Sequence, residues 1–218
     1  MRGIVFNTKL GLERAVLEGR KTVIRKRIKC PKKIAGVDVY NFCVARDYKG
    51  DVTEVFCIDY DEAHIDGGTI RPPYKIGEIV AIKQCYDNIL NPELYHELLQ
   101  HYDTQCIEDL AGYKNKMFVA CKFMPHKIKI LDIRVERLQD ISEEDCVKEG
   151  IQTANDVARG NNLREQYDGW FMNPFEWQMY PTAKEAFAAL IDKVSKKGTW
   201  ERNPFVWRIE YELIKEEL

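Results

Sequence analysis

Apolar positions along this chain follow two periods, and the points where one gives way to the other mark its elements. Near the end Phe205, Trp207, Ile209, Tyr211 and Leu213 alternate with Val206, Arg208, Glu210 and Glu212, which predicts a strand with one buried face. Just before it Phe187, Leu190, Ile191 and Val194 recur at helical spacing behind a Thr182-Ala183-Lys184-Glu185 capping box, with Gly198 as the stop. Asn91-Pro92 opens another helix, Asn as N-cap and Pro at the first helical position, with Leu94, Leu98, Leu99 and Tyr102 on one stripe. Residues 8–18 read as a short helix with Thr8 as N-cap and Gly19 in the left-handed position after it. Ser142-Glu143-Glu144-Asp145 is a capping box with a short arm, and Gly150 ends that helix after two turns. β-Branched and aromatic runs at 39–46, 52–60, 78–86 and 116–123 predict strands. Between 128 and 135 the pattern conflicts with itself: Ile128 and Ile130 share one parity, Leu131, Ile133 and Val135 the other. A single strand there needs a β-bulge near 130–131.

Short strands interrupted by a few helices give an α+β chain, read as a single domain over 1–218. With no Gly-rich strand-to-helix turn, a dinucleotide fold is excluded, and the pattern fits a small mixed β-barrel decorated with helices. With 218 residues, 45% hydrophobic and 31% charged, the chain can bury one good core. Lys+Arg 33 against Asp+Glu 35 leaves a net charge of −2, so no global field attracts a polyanion and any such site comes from local clustering. Residues 20–33 are that cluster: Arg20, Lys21, Arg25, Lys26, Arg27, Lys29, Lys32 and Lys33, with no acidic residue among them. Seven widely spaced cysteines, without a C-x-x-C pair or a His at ligand spacing, point to reduced thiols in a cytosol and give no support for a metal or cofactor. The N-terminus turns polar at Asn7, too early for a signal-peptide core, and no apolar run approaches a membrane span, so the expected location is cytoplasmic with no membrane partner.

The basic cluster admits two readings. Arg20 and Arg25 can fork onto phosphate oxygens with Lys21 as a point charge, or the run is a solvated strand face. The aromatic stretch "YDGWFMNPFEWQMYP" is either a stacking surface for bases or a loop pinned to the core by Trp170, Phe175 and Trp177. Trp200 and Trp207 read as core or rim anchors. His64, His96 and His101 have no recognisable partner in the sequence.

The segments "LEGRKTVIRKR", "PPYKIGEIVAIKQCY", "MPHKIKILDIRVERLQDISEEDCVKEGI" and "WERNPFVWRIEYEL" occur in an order that resembles the ASCH domain, a branch of the PUA-like fold, in its bacterial and phage-type members. Residues 87–115 and 152–181 look like insertions into it. The resemblance implies a barrel with a cleft whose mouth carries the GRKT turn, and an association with RNA or modified nucleosides. It also implies that Glu149 points into the cleft opposite Lys21, and that the Met124-Pro125 pair puts His126 beside it, where Lys127 and Lys129 extend the basic rim. In members resembling acetylated-cytidine amidohydrolases the Lys, a Thr three residues later and this Glu form the catalytic set. Here Lys21 and Glu149 match, but the Thr position is Ile24. Thr22 shares its strand face about 7 Å away and would need a shifted register to substitute. The expected function is therefore binding of RNA or a nucleoside or nucleotide through Arg20, Lys21, Thr22, Arg25, His126 and Glu149. The alternatives are an amidohydrolase acting on an acylated, N4-acetylcytidine-like nucleoside, with Lys21 and Glu149 as catalytic residues, and a protein-interaction scaffold.

Overall fold

In a computed structural model the described residues are 1–50, 52–160, 169–172 and 178–214. The chain runs β1 (Arg2–Ile4), α1 (Leu12–Leu17), β2 (Val23–Arg27), β3 (Lys33–Ile34), β4 (Val37–Asp38), β5 (Asn41–Arg46), β6 (Val52–Ile58) and β7 (His64–Thr69). It continues through β8 (Ile79–Ile82), α2 (Tyr86–Ile89), α3 (Pro92–Tyr102), β9 (Lys127–Arg137), α4 (Glu143–Lys148), β10 (Gln152–Thr153) and α5 (Ala154–Gly160). Last come β11 (Trp170–Phe171), β12 (Met179–Tyr180), α6 (Ala183–Val194), α7 (Thr199–Arg202) and β13 (Phe205–Ile214). The architecture is mixed α+β, with several separate sheets.

The central sheet has five strands in the order β1-β8-β9-β13-β2. β1 runs parallel to β8 and the other neighbours are antiparallel. β13 lies between β9 and β2, which explains one departure from expectation. Alternation predicted a single buried face, yet Val206 and Arg208 are buried along with Trp207, Ile209 and Tyr211, because α4 and α6 cover the second face. A second sheet, β5-β6-β7, and the β3-β4 hairpin lie beside the main one, and β10-β11-β12 form a third small sheet.

The parity conflict is resolved by a bulge. Glu210 pairs with Asp132 but its neighbour Tyr211 pairs with Ile130, so Leu131 is passed over. Leu131 is 42% exposed, whereas Ile128 and Ile130 on one side and Val135 on the other stay in the core. One extra residue thus keeps both apolar sets pointing inward.

Local caps follow the sequence closely. Asn91 Oδ1 accepts from the Leu94 N–H at 2.8 Å, Thr182 Oγ1 from the Glu185 N–H at 3.1 Å and Ser142 Oγ from the Asp145 N–H at 3.1 Å. Gly198 opens α7 rather than ending α6, which stops at Val194. Helix α1 begins at Leu12 rather than at Thr8, because residues 8–11 make a turn in which the Gly11 N–H bonds to the Thr8 carbonyl.

Residues 116–123 form no strand, contrary to their composition. Asn115 accepts backbone N–H bonds from Met117 and Phe118 and starts a turn, Met117 and Phe118 face solvent, and Val119 and Phe123 turn inward. Those two residues pack with Tyr86, Leu94, Leu98, Ile107 and Met124 into a second core, which residues 87–115 share with the segments on either side of them. Trp170 packs on the main core and Trp207 is part of it; Phe175 and Trp177 lie outside the described residues.

The expected barrel does not close among the described residues. β1 and β2 are the two edges of the central sheet and do not pair with each other. Instead Val5, Phe6 and Asn7, just past β1, and most of β2 line one cleft from its two sides. Among the described residues no helix is long and apolar enough to cross a membrane.

Candidate functional site

Two short helices end at the same place. α1 finishes at Glu18, followed by Gly19 in the left-handed region at φ 74°, and α4 finishes at Glu149, followed by Gly150 at φ 101°. The Thr22 N–H then bonds to the Lys148 carbonyl at 2.9 Å, joining the two exits. Lys21 leaves the first exit and Glu149 closes the second, so the turns that end the helices bring the pair together.

Lys21 is buried, and its ammonium donates to the Val23 carbonyl at 2.8 Å, the Glu149 carbonyl at 2.9 Å and Glu149 Oε2. These use all three of its donors. Arg25, four residues on and so on the same face of the extended chain, is also buried. It donates from Nε to Glu136 Oε1 at 2.7 Å, from Nη1 to Glu149 Oε1 at 3.1 Å and from Nη2 to Asp145 Oδ2 at 2.6 Å. Asp145 in turn accepts from Arg208 at both oxygens, at 2.6 and 3.0 Å, and Arg208 reaches Glu210 at 2.9 Å. The buried charges are therefore paired and hydrogen-bonded, as their desolvation requires. A carboxylate at the end of α4 is disfavoured by the helix dipole, and Lys21 and Arg25 offset that.

Burial pushes the Lys21 pKa down, with Glu149 opposing the shift and Arg25 adding to it. Hydrogen bonds from Arg208, and then from Arg25, hold the Asp145 carboxyl well below the usual range although burial works the other way. Tyr211 stands near Glu149; burial and then that carboxylate raise its phenol well above its ordinary value. Its hydroxyl is buried and no group among the described residues hydrogen-bonds to it.

Above this cluster opens a cleft of about 700 Å³. Phe6, Ile24, Phe187 and Trp207 supply apolar wall, and Lys26, Arg27, Lys29 and Arg71 stand around it. With Lys21 and Arg25 these make six cationic side chains on the lining, against Glu149 as the one carboxylate, among the described residues. Arg27, Lys29 and Arg71 are exposed, while Lys26 donates to the Tyr74 hydroxyl at 2.9 Å. The Tyr211 N–H bonds to the Thr22 carbonyl and the Ile28 N–H to the Phe205 carbonyl, so even-numbered residues of this strand face β13. The backbone groups of Arg25 and Arg27 therefore point to the open edge.

Of the residues singled out from the sequence, Lys21, Arg25 and Glu149 come together on this lining, and Ile24 is beside them. Arg20 is turned away and pairs with Glu18 at 2.7 Å. Thr22 is held by its backbone and does not line the cleft. His126 lies elsewhere, its Nδ1 2.7 Å from Gln84 Oε1, in a chain that continues to Glu13 and Lys116. Against the expectation that Arg20, Lys21 and Arg25 bind phosphate, Arg20 is off the cleft, and all three Lys21 donors and three of the five Arg25 N–H groups serve carboxylates and carbonyls. Sequence reasoning missed Asp145 and Arg208 as members of the network, and Arg71 as part of the cleft. Asp145 did carry a signal: an acid too short to close its capping box is free to reach elsewhere. Among the described residues no three His, Cys, Asp or Glu side chains group as a metal site requires.

No family model, curated protein or solved structure matches the chain.

Proposed function

We propose that the protein binds RNA or a modified nucleoside in the cleft between β1 and β2, as a member of the ASCH branch of the PUA-like fold. The observation that carries the reading is the cleft lining: among the described residues six cations, one carboxylate and an apolar wall, in a chain whose net charge is slightly negative. In this reading Arg27, Lys29 and Arg71 hold phosphate, because they are exposed, while Lys21 and Arg25 fix the Glu149 carboxylate. Glu149 keeps lone pairs for a base amino group, and the apolar wall takes the base. The gap between the two sheet edges is then the mouth of the PUA-like barrel. Titrating a labelled short single-stranded RNA into wild type and into the Lys29→Ala/Arg71→Ala double variant tests this. The variant should bind at least about tenfold more weakly, from two lost charge-assisted contacts; equal affinity would remove the rim from the site.

A second reading, hydrolysis of an acylated nucleoside, is favoured by one observation: a buried lysine with a lowered pKa touches a carboxylate on the cleft floor. Such a pair can pass a proton to and from an attacking water. Ile24 occupies the cleft wall where the resembling hydrolases carry a hydroxyl, so wild type should release little acetate from acetylated cytidine and Ile24→Thr should release more. Robust wild-type release, abolished by Glu149→Gln, would make hydrolysis the primary function.

A further inference from the structure

The sulfurs of Cys30 and Cys57 stand 3.6 Å apart, although 27 residues separate them in sequence. Cys57 is fully buried in β6, the middle strand of the β5-β6-β7 sheet, and Cys30 is exposed on the segment that leaves β2. That segment, residues 28–32 between β2 and β3, is outside both strands and carries Lys29 of the cleft rim directly before Cys30. We propose that Cys30 and Cys57 form a thiol-modification site, a dithiol that a peroxide converts reversibly to a disulfide.

The chemistry follows from which sulfur each reactant can reach. The Cys30 sulfur attacks the peroxide O–O bond, which breaks; Cys30 becomes a sulfenic acid and one water leaves. The Cys57 sulfur then attacks the Cys30 sulfur, the S–O bond breaks, and the hydroxyl departs with the Cys57 proton as a second water. Two thiols have lost two electrons and the peroxide has gained them. A disulfide needs its sulfurs at about 2 Å, so they must close by roughly 1.5 Å, a movement that the irregular segment carrying Cys30 can supply. Burial, with the neighbouring thiol adding to it, pushes Cys57 up to about 11, so in the reduced protein it stays a thiol and the oxidant is met at Cys30. The bond would tie the exit of β2 to the second sheet and fix the segment that follows Lys29. The inference rests on the sulfur geometry and does not depend on what the cleft binds.

Hydrogen peroxide added to the folded full-length protein, followed by alkylation, peptide mapping and intact mass, tests it. The expected result is loss of two hydrogens per chain, a Cys30–Cys57 cross-linked peptide and full reversal by dithiothreitol, with the exposed Cys43 as internal control. In Cys57→Ala the oxidation should stop at a Cys30 sulfenic acid that dimedone traps. Should that variant fail to fold, the wild-type peptide map decides alone. Cys30 carried to sulfinic acid while Cys57 remains alkylatable after denaturation would overturn the proposal, as would a disulfide to any other cysteine or no reaction at Cys30.

Discussion

Asp145 lies in the first turn of α4 and accepts from two guanidinium groups, which come from β2 and β13. Because its folded pKa lies below the unfolded one, its contribution to stability is complete above about pH 4 and is lost as the pH falls through the folded value. Chemical denaturation between about pH 6 and about pH 2 should show wild type losing stability in acid more steeply than Asp145→Asn; parallel curves would mean that the carboxylate is not held in the folded state. Tyr211→Phe probes the neighbouring hydroxyl, which no described group satisfies. Removing it should leave stability unchanged or raise it by up to about 1 kcal/mol, whereas a loss of more than about 1 kcal/mol in a urea titration would show that it is bonded. At this scale the sequence was only partly readable. Lys21 and Glu149 were found through a family resemblance and meet in the structure, but the pairing of Arg208 with Asp145 spans 63 residues and leaves no local mark beyond a polar side chain on a strand. Arg20 misled because charge content says nothing about which way a side chain turns.

Elements were most legible where the signal is local. The caps at Asn91, Ser142 and Thr182 each need only the next three residues, and each side chain accepts the expected N–H. The bulge was legible for a different reason: two inward parities cannot coexist on a regular strand, so the conflict at 128–135 has few solutions. Leu131 is the residue that resolves it. Its deletion should force either Ile128 and Ile130 or Ile133 and Val135 out of the core, at a cost of about 3–6 kcal/mol for two large aliphatic side chains. Equilibrium urea unfolding measures this, and a variant within about 1 kcal/mol of wild type would contradict the role given to the bulge. The stretch 116–123 failed as a strand because β-propensity records how a residue fits a half-buried pleat, and here the side chains are buried by a turn instead. Its inward residues, Val119 and Phe123, instead stand four apart in a turn that closes the second core.

For the whole molecule, strand order governs where ligand chemistry can occur. The order β1-β8-β9-β13-β2 places the first residues of the chain and the basic strand β2 at opposite edges of one sheet, and both line a single cleft. Neither edge strand alone makes a site. Residues 5–7 just past β1, most of β2 and one face of α6 line about 700 Å³, with the buried Lys21, Arg25 and Glu149 at the base and exposed cations above. No periodicity discloses such a gap, because it depends on which strands fail to pair. In the proposed function the exposed rim cations contact RNA phosphates while the buried ones hold Glu149. The salt dependence of RNA affinity tests this most directly, measured for wild type, Lys29→Ala/Arg71→Ala and Arg14→Ala/Arg20→Ala, the last pair being directed at Glu18 and off the cleft. Each lost phosphate contact should flatten the slope of log K against log salt by about 0.7, so the rim variant should lose about 1.4 units and the Arg14/Arg20 variant none. A wild-type affinity that does not vary with salt, or an equal slope in wild type and the rim variant, would mean that the rim cations do not contact phosphate.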